Sequence, residues 1–241
     1  NPGTPTPPSL PTVGVSGVTP PPSPLEHLDG YLIYTIQQGD TLSALARRFD
    51  VFEEEVLVGG MTSGLGLLPI GMQVQLPDAL ETVLPYPDPI LPDSEVIYGP
   101  SVEGFDTAAY VLDAGGFLAG YAENARGELM TGPEIIHRVA IETSTNPRLL
   151  LAFLEYRSGW VLGHPPNAEN DPYPIGYNAV DTGLYNELMI SARLLAQGFY
   201  GWRDGGQVEI NFKDGGSGRL SPGLNAGSAA LMNMFAALHE R

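Results

Sequence analysis

The chain has 241 residues, 28 of them acidic and 11 basic, for a formal net charge of −17, and it contains no cysteine. That charge repels a polyphosphate backbone, and the ten arginines and single Lys213 never form a run, which speaks against nucleic-acid binding. The lack of thiols removes disulfides, zinc–thiolate sites, iron–sulfur clusters and cysteine nucleophiles, and no apolar run approaches the roughly 20 residues that span a bilayer. Residues up to Leu25 carry no charge and are dominated by Pro, Thr, Ser and Gly. Such a stretch builds no core; it reads as an extended polyproline spacer, an O-glycosylated stalk, or an arm that packs on a neighbouring subunit. A start at Asn1 rather than Met reads as a processed form or a fragment.

From Tyr31 the texture changes. Residues 34–37 predict a short strand, Gly39-Asp40 a turn, and residues 41–49 an amphipathic helix with Leu42, Leu45, Ala46 and Phe49 on one face and Asp40 placed to cap it. Residues 52–58 predict a second helix, with Glu53, Glu54 and Glu55 complementing the dipole of its first turn. A Gly-rich loop and a closing strand at 72–76, stopped by Pro77, complete a βααβ order.

Three words in that order, Tyr34-Thr35-Ile36-Gln37-Gln38-Gly39-Asp40-Thr41-Leu42-Ser43, Ala46-Arg47-Arg48-Phe49 and Pro69-Ile70-Gly71-Met72-Gln73-Val74-Gln75-Leu76-Pro77, resemble the LysM module. One departure is Gly59-Gly60 where the family usually carries Asn. The resemblance implies binding of N-acetylglucosamine polymers, peptidoglycan or chitin, in a groove between the loops 39–42 and 61–70. The residues it nominates are Gly39, Asp40, Thr41, Leu42, Met61, Thr62, Leu67, Pro69 and Ile70. Loops of Gly, Thr, Leu and Pro offer sugar N-acetyl groups backbone donors and small apolar contacts without charge.

Residues 79–104, rich in proline and acids, read as a linker. Beyond it the pattern is helical: 105–121, with Gly115-Gly116 interrupting, then 133–142 with proline at its first position, 148–157, 183–200 and 226–239. The third, Leu149-Leu150-Leu151-Ala152-Phe153-Leu154, is apolar all round and predicts a buried central helix. Residues 207–212 alternate and read as a hairpin strand. The run from Glu134 through Asn146-Pro147 to Arg157-Ser158-Gly159-Trp160, with Leu224-Asn225-Ala226-Gly227 later, resembles lysozyme-like lytic transglycosylases. The fold expected is thus α+β: a Pro-rich extended arm (1–28), a LysM module (31–78), a linker (79–104) and a mainly helical lysozyme-like domain (105–241).

In that family the helix ends in Glu-Ser-Gly, and the glutamic acid protonates the glycosidic oxygen. Arg157 occupies the matching position here, and a guanidinium stays charged throughout. Glu155 is the obvious nearby substitute, although two residues along a helix rotate it by about 200°, and Glu142, on the preceding helix, reads as a solvated or ion-paired group. Trp160, Tyr173, Tyr177, Tyr200 and Trp202 are candidates for stacking on sugar rings or for core packing, and Asn225 for an N-acetyl contact or a helix cap. The histidines lack ligand spacing, and Asp204-Gly205-Gly206 and Asp214-Gly215-Gly216 read as turns, so neither metal nor cofactor is expected. These readings converge on a secreted cell-envelope protein that binds glycan without cleaving it. The alternatives are a peptidoglycan-cleaving enzyme using Glu155 and a subunit that self-assembles through its arm.

Overall fold

Alternation of apolar and polar residues puts Leu32 and Tyr34 on one face of a strand, and Val74 and Leu76 do the same on another. In the computed structural model, which describes residues 23–58, 61–62, 68–80, 82–85, 88–178 and 180–241, these two strands pair antiparallel with Leu32 opposite Leu76 and Tyr34 opposite Val74. In chain order the module comprises β1 (Leu25–Leu28), β2 (Tyr31–Thr35), α1 (Leu42–Phe49), β3 (Leu57–Val58), β4 (Met61–Thr62) and β5 (Gln73–Pro77). They form a sheet in the order β1-β2-β5-β3-β4, onto which α1 packs Leu42, Leu45 and Phe49. The last four residues assigned to the arm are therefore a strand, hairpinned onto β2. Arm residues 1–22 lie outside the described residues.

The second helix of the expected βααβ order is only a single 3-10 turn, Glu53–Glu55. Val56 and Val58 alternate with Leu57, and this β-branched run leaves the helix to pair with β5. Thr41, not Asp40, caps α1: its hydroxyl accepts Ala44 N–H at 3.2 Å.

The second body holds α2 (Thr107–Ala114), α3 (Phe117–Gly120), a hairpin β6 (Ala122–Ala125) and β7 (Glu128–Thr131), α4 (Gly132–Thr143), α5 (Pro147–Ser158), α6 (Leu184–Arg203), a hairpin β8 (Glu209–Asn211) and β9 (Ser217–Arg219), and α7 (Ala226–Ala236). The architecture is α+β. Gly115, at φ 66°, ends α2, and Gly116 lies so close to the Val161 carbonyl that a Cβ would collide with it, so the helix expected over 105–121 is two. The β6–β7 hairpin turns at Arg126 and Gly127, both at positive φ, as a two-residue turn requires. Helix α6 is the axis of the core: Leu184, Leu188, Ala192, Leu195, Phe199 and Trp202 are buried at helical spacing. By contrast α5 is buried on one side only, with Ala152 and Tyr156 exposed.

The segment expected to be a free linker is bound at several of its described residues. Leu84 N–H donates to Arg219 O, Ile90 and Leu91 N–H donate to Ser228 Oγ, and Ile97 bridges to Thr145. Among the described residues no helix is long and apolar enough to cross a membrane.

Candidate glycan-binding site

At one end of the first sheet two loops meet. Ile36 N–H donates to Met72 O and Gly71 N–H to Ile36 O, at 2.8 and 2.9 Å, so residues 37–41 and 69–71 lie side by side. Gln37, Gln38, Gly39, Pro69 and Ile70 are exposed there, Ile70 to 70%. Thr41 is half-buried, while Leu42 is part of the module core. Met61 and Thr62 are placed in β4 next to β3; Leu67 lies outside the described residues.

Asp40 is not a surface ligand group. It is 5% exposed, and its Oδ2 accepts the Tyr34 hydroxyl at 2.9 Å and Gln37 N–H at 2.7 Å. Its Oδ1 accepts Arg48 Nη1 at 2.7 Å, and Arg48 is 3% exposed. Burial first, then the Asp40 carboxylate, pushes the Tyr34 hydroxyl far above the ordinary tyrosine range.

Arg48 also ties the two bodies together. Its Nε donates to Trp202 O at 3.1 Å, and its guanidinium lies 5.0 Å from the Trp202 ring centroid. Arg47 donates to Asp204 O, Arg219 donates to Arg47 O and Arg48 O at the end of α1, and the Arg203 guanidinium packs against Gly39. Four of the ten arginines thus converge on this seam.

In the helical body Arg157 spends its guanidinium on the main chain: Nε donates to Ile175 O at 2.7 Å and Nη2 lies against Gly176. The same loop is held from the other side by Glu187, at 0% exposure, whose Oε2 accepts N–H from Ile175, Gly176 and Tyr177 at 3.1, 2.6 and 3.2 Å. The sequence reading passes over Glu187. Its signal was there, because Glu187 shares the apolar face of Leu184, Leu188 and Ser191, and an acid on a buried face needs partners.

Glu155 lines a hollow of about 330 Å³ with Phe105, Tyr110 and Arg148. Its Oε2 accepts N–H from Val161 and Leu162 at 2.9 and 3.0 Å. Among the described residues no second carboxylate lines that hollow, where glycoside hydrolysis ordinarily sets two across the bond. Glu142 accepts the Tyr185 hydroxyl at 2.6 Å and pairs with Arg126 and Arg138.

Trp160, 1% exposed, stacks edgewise with Phe117 in the core, and Trp202 donates its indole N–H to Leu224 O. Neither offers a ring face to a ligand. Tyr177 is half-buried, which pushes its hydroxyl up to about 12. Asn225 is a cap: Oδ1 accepts Ser228 N–H at 3.3 Å, and Nδ2 donates to Leu91 O and Asp93 Oδ1 at 2.8 and 2.7 Å.

The arrangement defines a two-module chain in which a small sheet-and-helix module with an uncharged loop end is locked onto a helical body whose inward-facing carboxylates hold main chain. Residues 34–57 match the LysM domain. Residues 89–241 match the family described as LasA, N-terminal domain, and the chain belongs to that family. This is a different family from the lysozyme-like one expected over 105–241, and its match begins inside the supposed linker, where the chain starts to pack on α7. No curated protein and no solved structure matches the chain.

Proposed function

We propose that the chain binds polymers of N-acetylglucosamine, peptidoglycan foremost and chitin-like glycan by the same chemistry, through the LysM loops, and that the helical body holds and places that module without cutting the glycan. The observation that carries this reading is the loop end itself: Gly39, Thr41, Pro69 and Ile70 gather there, none of them charged, while the one acid of the loop is turned inward to Arg48 and the half-buried Arg203 guanidinium backs Gly39. Neutral sugar rings with N-acetyl groups suit main-chain donors and small apolar contacts. The reading keeps Met61 and Thr62 of β4 in the groove and withdraws Trp160. The pairing of a LysM module with a LasA-type domain supports a secreted, cell-envelope setting. Incubated with insoluble peptidoglycan at moderate salt, the chain should pellet and Ile70→Asp should stay in solution; an unaltered chain that stays in solution contradicts the reading.

The non-cleaving role rests on Glu155: one of its oxygens is committed to two N–H donors, and among the described residues no second carboxylate lines its hollow. The second reading, cleavage by Glu155, draws on its place in a hollow beside Arg148 and Tyr110. Release of reducing or anhydro ends from peptidoglycan, abolished in Glu155→Gln, would establish it; no release establishes the passive role.

A further inference from the structure

Directly beside the LysM loop, where the two bodies meet, lies a cleft of about 280 Å³ lined by Gln37 and Gln38 from the module, Pro89, Pro92, Asp93 and Ser94 from the bound segment. We infer that this seam is a saccharide subsite, continuous with the LysM groove and present only because the helical body completes it. The inference rests on the glycan-binding reading above and adds where a longer chain of the same polymer continues.

Three observations point to a sugar ring. The volume is just below the 300–1,000 Å³ of drug-sized sites, the scale of one pyranose unit. The walls combine proline rings, which offer apolar faces to the C–H side of a pyranose, with an amide and a hydroxyl for its polar edge. Gln38 and Ser94 are exposed, and their side chains make no hydrogen bond among the described residues. Among the described lining residues the carboxylate is Asp93, and its Oδ1 is already taken by Asn225 Nδ2 and Gly227 N–H, each at 2.7 Å, at the N-terminus of α7. Its charge is thus compensated by the helix end, which favours a neutral polyhydroxyl ligand over a cation.

Continuity follows from the chain itself. Gln37 and Gln38 immediately precede the Gly39–Leu42 loop, and Ile36 hydrogen-bonds across to Gly71 and Met72 beside Pro69 and Ile70. Rigidity follows from the arginine seam, since Arg48 and Arg219 donate across the bodies and Arg203 backs Gly39. A cleft between two fixed walls is preorganised, so a ring entering it does not first have to order the modules.

The test is calorimetric titration of the full chain with N-acetylglucosamine oligomers, dimer to hexamer. The unaltered chain should bind the hexamer more tightly than the trimer. Ser94→Trp, which fills the cleft from an exposed position, should weaken hexamer binding about tenfold and leave the trimer unchanged, with Gln38→Ala moving the same way by less. Ile70→Asp should weaken all lengths alike. If both cleft variants bind the hexamer as the unaltered chain does, the subsite is wrong while the LysM reading stands. If the unaltered chain binds no oligomer, the LysM reading itself has failed and the subsite falls with it.

Discussion

The module and the helical body use charge in opposite settings. In the module, one buried pair, Asp40 and Arg48, lies beneath the loop end and turns the loop's own acid away from the surface. In the body, Glu123, Glu155 and Glu187 each accept two or more main-chain N–H groups and so hold loops and a helix start in place. A catalytic carboxylate must be free to exchange a proton with its substrate. Glu123, Glu155 and Glu187 in the body hold main chain, whereas Asp40 in the module is turned inward to Arg48. Both arrangements are compatible with the proposed gripping of a neutral polymer.

The largest effect should come from breaking the junction pair. Arg48→Ala leaves the Asp40 carboxylate buried without its partner and removes the donor to Trp202 O, at a cost of about 3–5 kcal/mol. Denaturant unfolding should then show the module melting before the body, and Asp40→Asn added to Arg48→Ala should recover part of the loss. A single unchanged transition would mean that the pair does not couple the bodies. Next in size is Glu187→Leu, which strands three N–H donors of the 175–177 loop and should cost about 3 kcal/mol. Glu155→Gln keeps an acceptor in place for Val161 and Leu162 and should cost less than about 1 kcal/mol. Equal losses in the two variants would erase the distinction between a buried clamp and a partly exposed one.

Much of this was legible in the sequence, and the failures share a cause. Helices α1, α4, α5, α6 and α7 follow from apolar spacing with Pro133, Asn146 and Asn225 at their starts. The second module helix fails because three glutamates fill only one 3-10 turn before Val56 and Val58 pull the chain into a strand. The β6–β7 hairpin was missed because its strands are short and its turn is Arg126-Gly127 rather than a commoner turn pair. The bound segment looked like a linker because what holds Ile90 and Leu91 is Ser228, 138 and 137 residues away, and no local pattern records a partner at that distance. The site divides the same way. The loops around Gly39 and Pro69 are legible as local words. The inward turn of Asp40, the clamp of Glu187 and the seam between bodies are tertiary facts.

A smaller effect tests the loop end alone. Thr41→Ala removes the cap from α1 and should cost about 1 kcal/mol. It should also weaken peptidoglycan pelleting, whereas Asp106→Ala, the equivalent cap on α2, should cost the same and leave pelleting unchanged.

At neutral pH the last difference has no effect, and it emerges only in alkali. Tyr34 in the module and Tyr121 and Tyr177 in the body all have hydroxyls pushed above the ordinary value near 10, burial being the first cause in each. A raised folded-state value means that the folded chain holds a proton that the unfolded chain releases. The associated stability is therefore complete below about pH 10 and is lost as pH rises beyond it, with the Tyr177 share declining up to about 12. Tyrosinate absorbance followed against pH, with far-ultraviolet dichroism in parallel, should show the buried tyrosines ionising together with loss of structure. Tyr177→Phe should flatten the decline above pH 10 for the body, and Tyr34→Phe should do so for the module. If neither substitution changes its slope, the alkaline weakness comes from net charge repulsion across the whole chain rather than from these burials.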